Sequence, residues 1–183
     1  MYPVRFGSLD MKGRGSVSNT PSRYLAVASE PVDDGWYNEE IESRIATQVY
    51  ADRTKRLITK NSSPDITFNQ SINPYKGCEH GCIYCFARPT HAYLDLSPGL
   101  DFETKLFYKT DVRAHLLEEF AHPTYNCSVL AIGTNTDPYQ PLEKQQRVMR
   151  QILETLLELR HPVSIVTKSA LILRDLDLLT ELS

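Results

Sequence analysis

The chain has 183 residues, a formal net charge of -3, 41% hydrophobic residues and 23% charged ones, a balance that supports a packed core and excludes wholesale disorder. No apolar run approaches the ~18 to 20 residues that span a bilayer, and the start has no apolar signal-peptide core, so the expectation is a cytoplasmic protein with no membrane partner. A pI near 6.0 excludes a strongly basic nucleic-acid-coating protein while leaving room for a local basic groove, and the single Trp and 4 Cys exclude a disulfide-dense secreted scaffold.

In chain order, residues 1–60 read as an irregular, partly helical N-terminal extension. Lys12-Gly-Arg-Gly-Ser-Val-Ser-Asn-Thr-Pro is rich in turn formers and cations. It reads either as a mobile tail or as a basic arm that closes over a polyanion or over the domain behind it. Asp33-Asp-Gly-Trp36 marks a turn with an anchoring aromatic. Ile41, Ile45 and Val49 recur every four residues and predict a helix at about 39–46. Thr47, Val49 and Ala51 also alternate, so the stretch after 46 stays open between helix and strand. Arg53, Lys55, Arg56 and Lys60 form a basic run, which is ordinarily a solvated face.

Residues 61–183 carry a clearer pattern. Ile66 to Ile72 alternates apolar and polar and predicts a first strand, ended by Asn73-Pro74. Val112, His115, Leu116 and Phe120 mark one face of a helix that starts near Asp111. Cys127 to Gly133 predicts a second strand, apolar enough to be buried on both faces. Val148, Met149, Ile152, Leu153, Leu156 and Leu157 give a helical stripe from about 142 to 160. Val163 to Thr167 predicts a third strand, and Asp175 to Leu182 a third helix. Strand–helix alternation of this kind implies an α/β domain with a parallel sheet and right-handed crossovers, with active residues at the carboxyl ends of the strands. A βαβ unit takes ~30 residues or more, so the stretch from Ile66 to Ser183 holds only three or four units. The expectation is an N-terminal portion of a longer protein, with the third strand, or the second if the order differs, as an unprotected edge.

The cysteines carry the chemistry. Cys78-Glu-His-Gly-Cys82-Ile-Tyr-Cys85 places three thiols in a C-x3-C-x2-C spacing, while Cys127 stands apart. In a cytosolic chain such clustering points to metal or redox chemistry rather than to disulfides. A closed zinc site wants four protein ligands, usually as two separated pairs. Here three thiols share one short loop, and His80 between them would struggle to complete a tetrahedron around one small ion. An iron–sulfur cubane is larger, so each cysteine on one loop can reach a different iron, which leaves one iron open to a small molecule. Lys76 and Arg88 flank the loop and are the expected source of the positive charge that favours thiolates. Cys127 opens the second strand, at the end away from the loop, and is read as a buried structural thiol.

C-x3-C-x2-C with an aromatic before the last Cys, here Tyr84, resembles the signature of the radical S-adenosylmethionine superfamily. The wider string Ser71 to Arg88 is similar to the branch related to spore photoproduct lyase and the DNA repair photolyase-like proteins. The resemblance continues through Pro89 to Tyr93, Asp101 to Lys105, Gly133-Thr-Asn-Thr-Asp-Pro-Tyr-Gln-Pro141 and Val166-Thr-Lys-Ser169, and it covers about Lys12 to Ser183. It implies an α/β fold that is the N-terminal part of a parallel β/α, partial TIM-type barrel, so that residues 61–183 are an incomplete radical S-adenosylmethionine domain behind the extension. It implies a [4Fe-4S] cluster on Cys78, Cys82 and Cys85, and S-adenosylmethionine as cosubstrate on the open iron. An electron donor such as flavodoxin or ferredoxin would reduce the cluster, which would cleave the sulfonium to methionine and a 5′-deoxyadenosyl radical.

By the same resemblance Tyr84, Gly133, Thr134, Asn135, Thr136, Asp137 and Lys168 are the candidate cofactor-binding residues. Tyr84 stacks near the adenine or simply packs in the core. Gly133 to Asp137 meets the polar ends of the cosubstrate or is a strand-to-helix turn capped by Asp137. Lys168 pairs with the methionine carboxylate or is a rim lysine. The superfamily's usual Gly-Gly-Glu is absent from this turn. The lyase-like branch implies repair of pyrimidine dimers in nucleic acid; a protein or small-metabolite substrate, or a non-catalytic metal-binding module, is the alternative.

Overall fold

The computed structural model describes residues 14–16, 18–20 and 46–183. The turn at Asp33 to Trp36 and, apart from Ala46, the helix expected at about 39–46 lie outside these residues. The chain is mixed α/β, with two sheets. The larger has the order β2-β3-β6-β7, from Ile58–Lys60 (β2), Gln70–Ile72 (β3), Leu130–Ile132 (β6) and Val163–Ile165 (β7). The three predicted strands are β3, β6 and β7, paired in parallel in sequence order, with β7 at the edge. β2 adds an antiparallel strand to β3. The first predicted strand is shorter than its alternation suggested. Residues 61–69 form a connection back from β2, and only Gln70–Ile72 of the expected strand join the ladder.

The smaller sheet was not anticipated. Gln48–Asp52 (β1), Lys105–Lys109 (β5) and Tyr75–Lys76 (β4) pair in the order β1-β5-β4, with β1 parallel to β5 and β4 antiparallel to it. The open stretch after 46 is therefore extended. Residues 48–60, placed by the sequence in the N-terminal extension, contribute one strand to each sheet.

Helices cover the larger sheet. Val112–Phe120 (α2) fulfils the helix expected near Asp111, and Leu100–Thr104 (α1) precedes β5. The long helix expected at about 142–160 is broken into Glu143–Gln146 (α3) and Val148–Glu158 (α4) at Arg147, whose φ of 51° is left-handed. The cause is local. The Glu143 carboxylate turns inward and accepts the Met149 amide at 3.1 Å, so it caps α4 as a new helix. Val148, Met149, Ile152, Leu153 and Leu156 then bury the predicted stripe against Ile72, Leu130 and Ile132 of the sheet. Each such side chain contributes about 1.5–3 kcal/mol by leaving water. Leu176–Leu182 (α5) packs on α4 after a 3-10 turn at Ala170–Asp175.

Glu143 is fully buried and fully matched. Tyr75 donates its hydroxyl to it, and Arg174 donates to its carboxylate at 2.6 Å and to its carbonyl at 3.0 Å. Arg174 also holds Asp175 at 2.6 Å, and Arg150 reaches Asp175 at 3.0 Å. A buried charge needs such partners, because one left alone costs several kcal/mol. The network pins the start of α4 to the segment after β7. No helix among the described residues is long and apolar enough to cross a membrane.

Candidate metal centre

The parallel register of β3, β6 and β7 brings their carboxyl ends to one rim. Three segments meet there: the cysteine loop after β4, the Gly133–Asp137 turn after β6, and Val166 to Ser169 after β7. Gly133 has a φ of +85°, and a Cβ on it would lie 2.1 Å from the Val166 carbonyl, so only glycine fits. Asn73, at the end of β3, accepts the Asn135 amide at 3.0 Å.

The cysteine loop is held from below and from the side. Gly77, at φ +79°, turns the chain where a Cβ would meet Leu106 and the Phe102 carbonyl. The Cys78 amide donates to that Phe102 carbonyl at 2.9 Å. Gln140 is fully buried and clasps the loop twice, donating to the Gly77 carbonyl at 3.1 Å and accepting the Glu79 amide at 3.0 Å. Arg88 donates to the Cys82 carbonyl at 3.0 and 3.2 Å and pairs with the buried Glu103. Cys78 is buried; Cys82 and Cys85 are half-buried. Burial pushes the Cys78 thiol up to about 11.

The positive charge at the thiols comes from Lys168. Its ammonium lies 2.8 Å from Cys82 Sγ, a contact that raises the lysine's own pKa. Lys76 and Arg88, which flank the cysteines in sequence, are committed elsewhere: Lys76 to Asp52 at 2.9 Å, Arg88 to Glu103 and the Cys82 carbonyl. Sequence adjacency pointed to the wrong cations, because strand β4 and the turn at 88 direct those side chains away from the sulfurs.

The polar turn divides into two parts. Thr136 is buried and donates to the Tyr75 carbonyl at 2.7 Å. Asp137 accepts the Thr167 hydroxyl at 2.7 Å, the Tyr139 amide at 2.8 Å and the Lys168 amide at 3.0 Å. The His80 ring nitrogen Nε2 lies 3.4 Å from Asp137, an ion-pair distance without hydrogen-bond alignment. Burial opposes the Asp137 charge, but the adjacent His80 ring together with donation from Thr167 and the two amides outweighs it and holds the carboxyl at about 2. Thr136 and Asp137 thus brace the rim. Gly133, Thr134 and Asn135 are partly exposed on it. Tyr84 is 82% exposed and does not pack in the core; Ile83 and Phe86 beside it are also exposed.

Among the described residues no three His, Cys, Asp or Glu side chains converge as they would around one ion. With His80 turned to Asp137, the donor set is three thiols spaced along one loop, which suits a multinuclear cluster with an open corner better than a closed tetrahedral site.

No protein-family model matches the chain. No solved structure matches it either. An uncharacterized protein of Mycobacterium tuberculosis is 47% identical over 116 residues, which is 63% of this chain and 34% of that protein. One from Mycobacterium bovis matches to the same extent. An uncharacterized protein of Methanocaldococcus jannaschii is 30% identical over 112 residues, covering 61% of this chain and 40% of its own. The chain spans between a third and two fifths of the length of these curated relatives.

Two residues were missed by sequence reasoning, Gln140 and Glu103. Both are fully buried polar side chains, each following a buried aromatic, Tyr139 or Phe102, and the signal was that no amide or carboxylate is buried there without a partner. Cys127 corrects the sequence reading in the other direction: it is exposed rather than buried, because the chain joins the ladder only at Leu130. Two cavities lined by described residues lie away from the rim. The larger, of about 700 Å³, is lined by Lys55, Arg56, Lys60, Glu118, Glu119 and Tyr125 among others.

Proposed function

We propose that the protein is a radical S-adenosylmethionine enzyme, that Cys78, Cys82 and Cys85 hold a [4Fe-4S] cluster, and that strands β3, β6 and β7 belong to the β/α barrel of that superfamily. The observation that supports the reading is the meeting of three loops at one rim, with the Lys168 ammonium on Cys82 and three thiols spaced C-x3-C-x2-C along one of those loops. When bound, the cluster supplies the electron that splits the sulfonium of S-adenosylmethionine into methionine and a 5′-deoxyadenosyl radical.

The chain's own residues position and shield. Gln140, Arg88 and the Cys78 amide fix the loop. Lys168 places positive charge beside Cys82 and stands where a carboxylate of the cosubstrate would be drawn. Thr134 and Asn135 are the partly exposed hydroxyl and amide of the turn, with the Thr134 hydroxyl in a long contact of 3.4 Å with Asn73, while Thr136 and Asp137 are occupied as braces. Tyr84, with Ile83 and Phe86, offers an apolar face on which a purine can stack and water can be excluded. A flavodoxin or ferredoxin is the proposed reductant, and a pyrimidine dimer in nucleic acid the proposed substrate, by analogy with the branch it resembles. Lys55, Arg56 and Lys60 around the large cleft are cations that can meet phosphate.

Anaerobic reconstitution with iron and sulfide, reduction, and electron paramagnetic resonance with and without S-adenosylmethionine test the reading. A [4Fe-4S] signal that shifts on addition supports it. A cluster blind to S-adenosylmethionine, or zinc bound by the same thiols in preference, refutes it.

A further inference from the structure

The segment Arg14 to Thr20 is where the sequence left a choice between tail and arm. Its described residues are seated along the outer side of the cysteine loop and α1. The Gly15 amide donates to the fully buried Glu103 carboxylate at 3.0 Å, and Arg14 donates to the Glu103 carbonyl at 2.7 Å and to Thr47 at 2.9 Å. Thr47 in turn donates to Glu79, inside the cysteine loop, at 2.9 Å. Further along, Asn19 and Asp101 exchange two hydrogen bonds, at 2.9 and 3.0 Å, and the Leu100 amide reaches the Ser18 carbonyl at 3.2 Å.

Two close approaches need glycine. A Cβ on Gly15 would lie 1.9 Å from the Gly81 carbonyl, and one on Gly99 would lie 2.3 Å from the Ser18 carbonyl. The strap is therefore in backbone contact with the loop residue that precedes Cys82. A second route runs through side chains: the Gly15 amide and Arg88 take the two oxygens of Glu103, and Arg88 holds the Cys82 carbonyl.

We infer that this strap is part of the metal centre: Gly15, through the Glu103 carboxylate and the Gly81 carbonyl, is a positioning residue that closes the solvent side of the cysteine loop and keeps the Cys82 turn in the shape that accepts a cluster. The inference rests on the reading of Cys78, Cys82 and Cys85 as cluster ligands for its purpose, but its geometry is a property of the metal-free chain. An unstrapped loop would lose the Gly15 amide on one Glu103 oxygen and the backbone packed on Gly81, leaving the Cys82 turn held by Arg88 and Lys168.

The test is peptide-resolved alkylation of the four cysteines in the metal-free protein, compared between wild type, Gly15→Ala and Asn19→Ala. Gly15→Ala drives a methyl into the Gly81 carbonyl. Asn19→Ala removes both hydrogen bonds between the Asn19 side chain and Asp101 at the far end of the strap without touching the loop, and it decides the matter if the first variant does not fold. Cys127, already exposed, is the internal reference. The expected result is that Cys82 reacts about fivefold faster or more in both variants, the change in opening population that loss of a hydrogen bond brings. Cys127 stays constant, and iron retained after reconstitution falls in parallel. Unchanged Cys82 protection in a folded variant overturns the inference. Should the wild type take up no cluster, the enzyme reading fails, while the alkylation ratios still decide whether the strap shapes the loop.

Discussion

Asp137 offers the sharpest quantitative check, because one carboxylate ties three loops together. Replacing it by Asn keeps the shape and one acceptor oxygen, which can still serve Thr167 and Tyr139. The second oxygen becomes an NH2 group facing the Lys168 amide, two donors 3.0 Å apart. The folded carboxyl sits at about 2 against an ordinary value of 3.8, which corresponds to about 2 kcal/mol of stability at neutral pH. The pKa is depressed on folding, so this stability is complete above pH ~4 and is lost as pH falls through about 2. Urea unfolding of metal-free wild type and Asp137→Asn should therefore differ by about 2 kcal/mol at pH 7 and by about 1 kcal/mol at pH 3. In a thermal melt the neutral-pH difference is about 4–8 °C for a chain of this size. Equal stabilities at pH 7, or a gap that does not narrow at pH 3, would refute the claim that the charge braces the rim.

Other outcomes are equally specific. Burial holds the Cys78 proton up to about 11, so in the metal-free protein at pH 8 Cys78 is alkylated more slowly than exposed Cys127, and the gap closes as pH rises toward 11; peptide mapping of iodoacetamide adducts reads both. Leu153→Ala empties a fully buried position on α4 and should cost about 2–5 kcal/mol by urea unfolding, with Leu159→Ala, largely exposed, as the mild control.

The sequence made the cysteine loop, β6 and α4 legible, each for a physical reason. Cys78, Cys82 and Cys85 cluster within eight residues of one loop; β6 is apolar on both faces; the α4 stripe repeats with the helical period. The smaller sheet was hidden. β4 has two residues, and in β5 the buried positions are Leu106 and Lys109, the latter neutralised by Asp52 at 2.8 Å. A lysine in a core position reads as surface until its partner, 57 residues away, is known. The break at Arg147 was hidden likewise, because it depends on a carboxylate turning back on the next helix. At the site, Lys168 was legible as a rim cation, but its sulfur partner was not, since 86 residues separate it from Cys82.

Those separations also govern the order of events during synthesis. Gly15 waits for Glu103, 88 residues later, and Cys82 waits for Lys168, 86 residues later. At ribosomal rates each wait is roughly 4–18 s, far longer than local helix formation. The cysteine loop consequently leaves the ribosome before its floor at Gln140, its cation at Lys168 and the completed strap can form. Through that interval its thiols are ordinary reactive cysteines, open to oxidation, and only afterwards does the chain close around them.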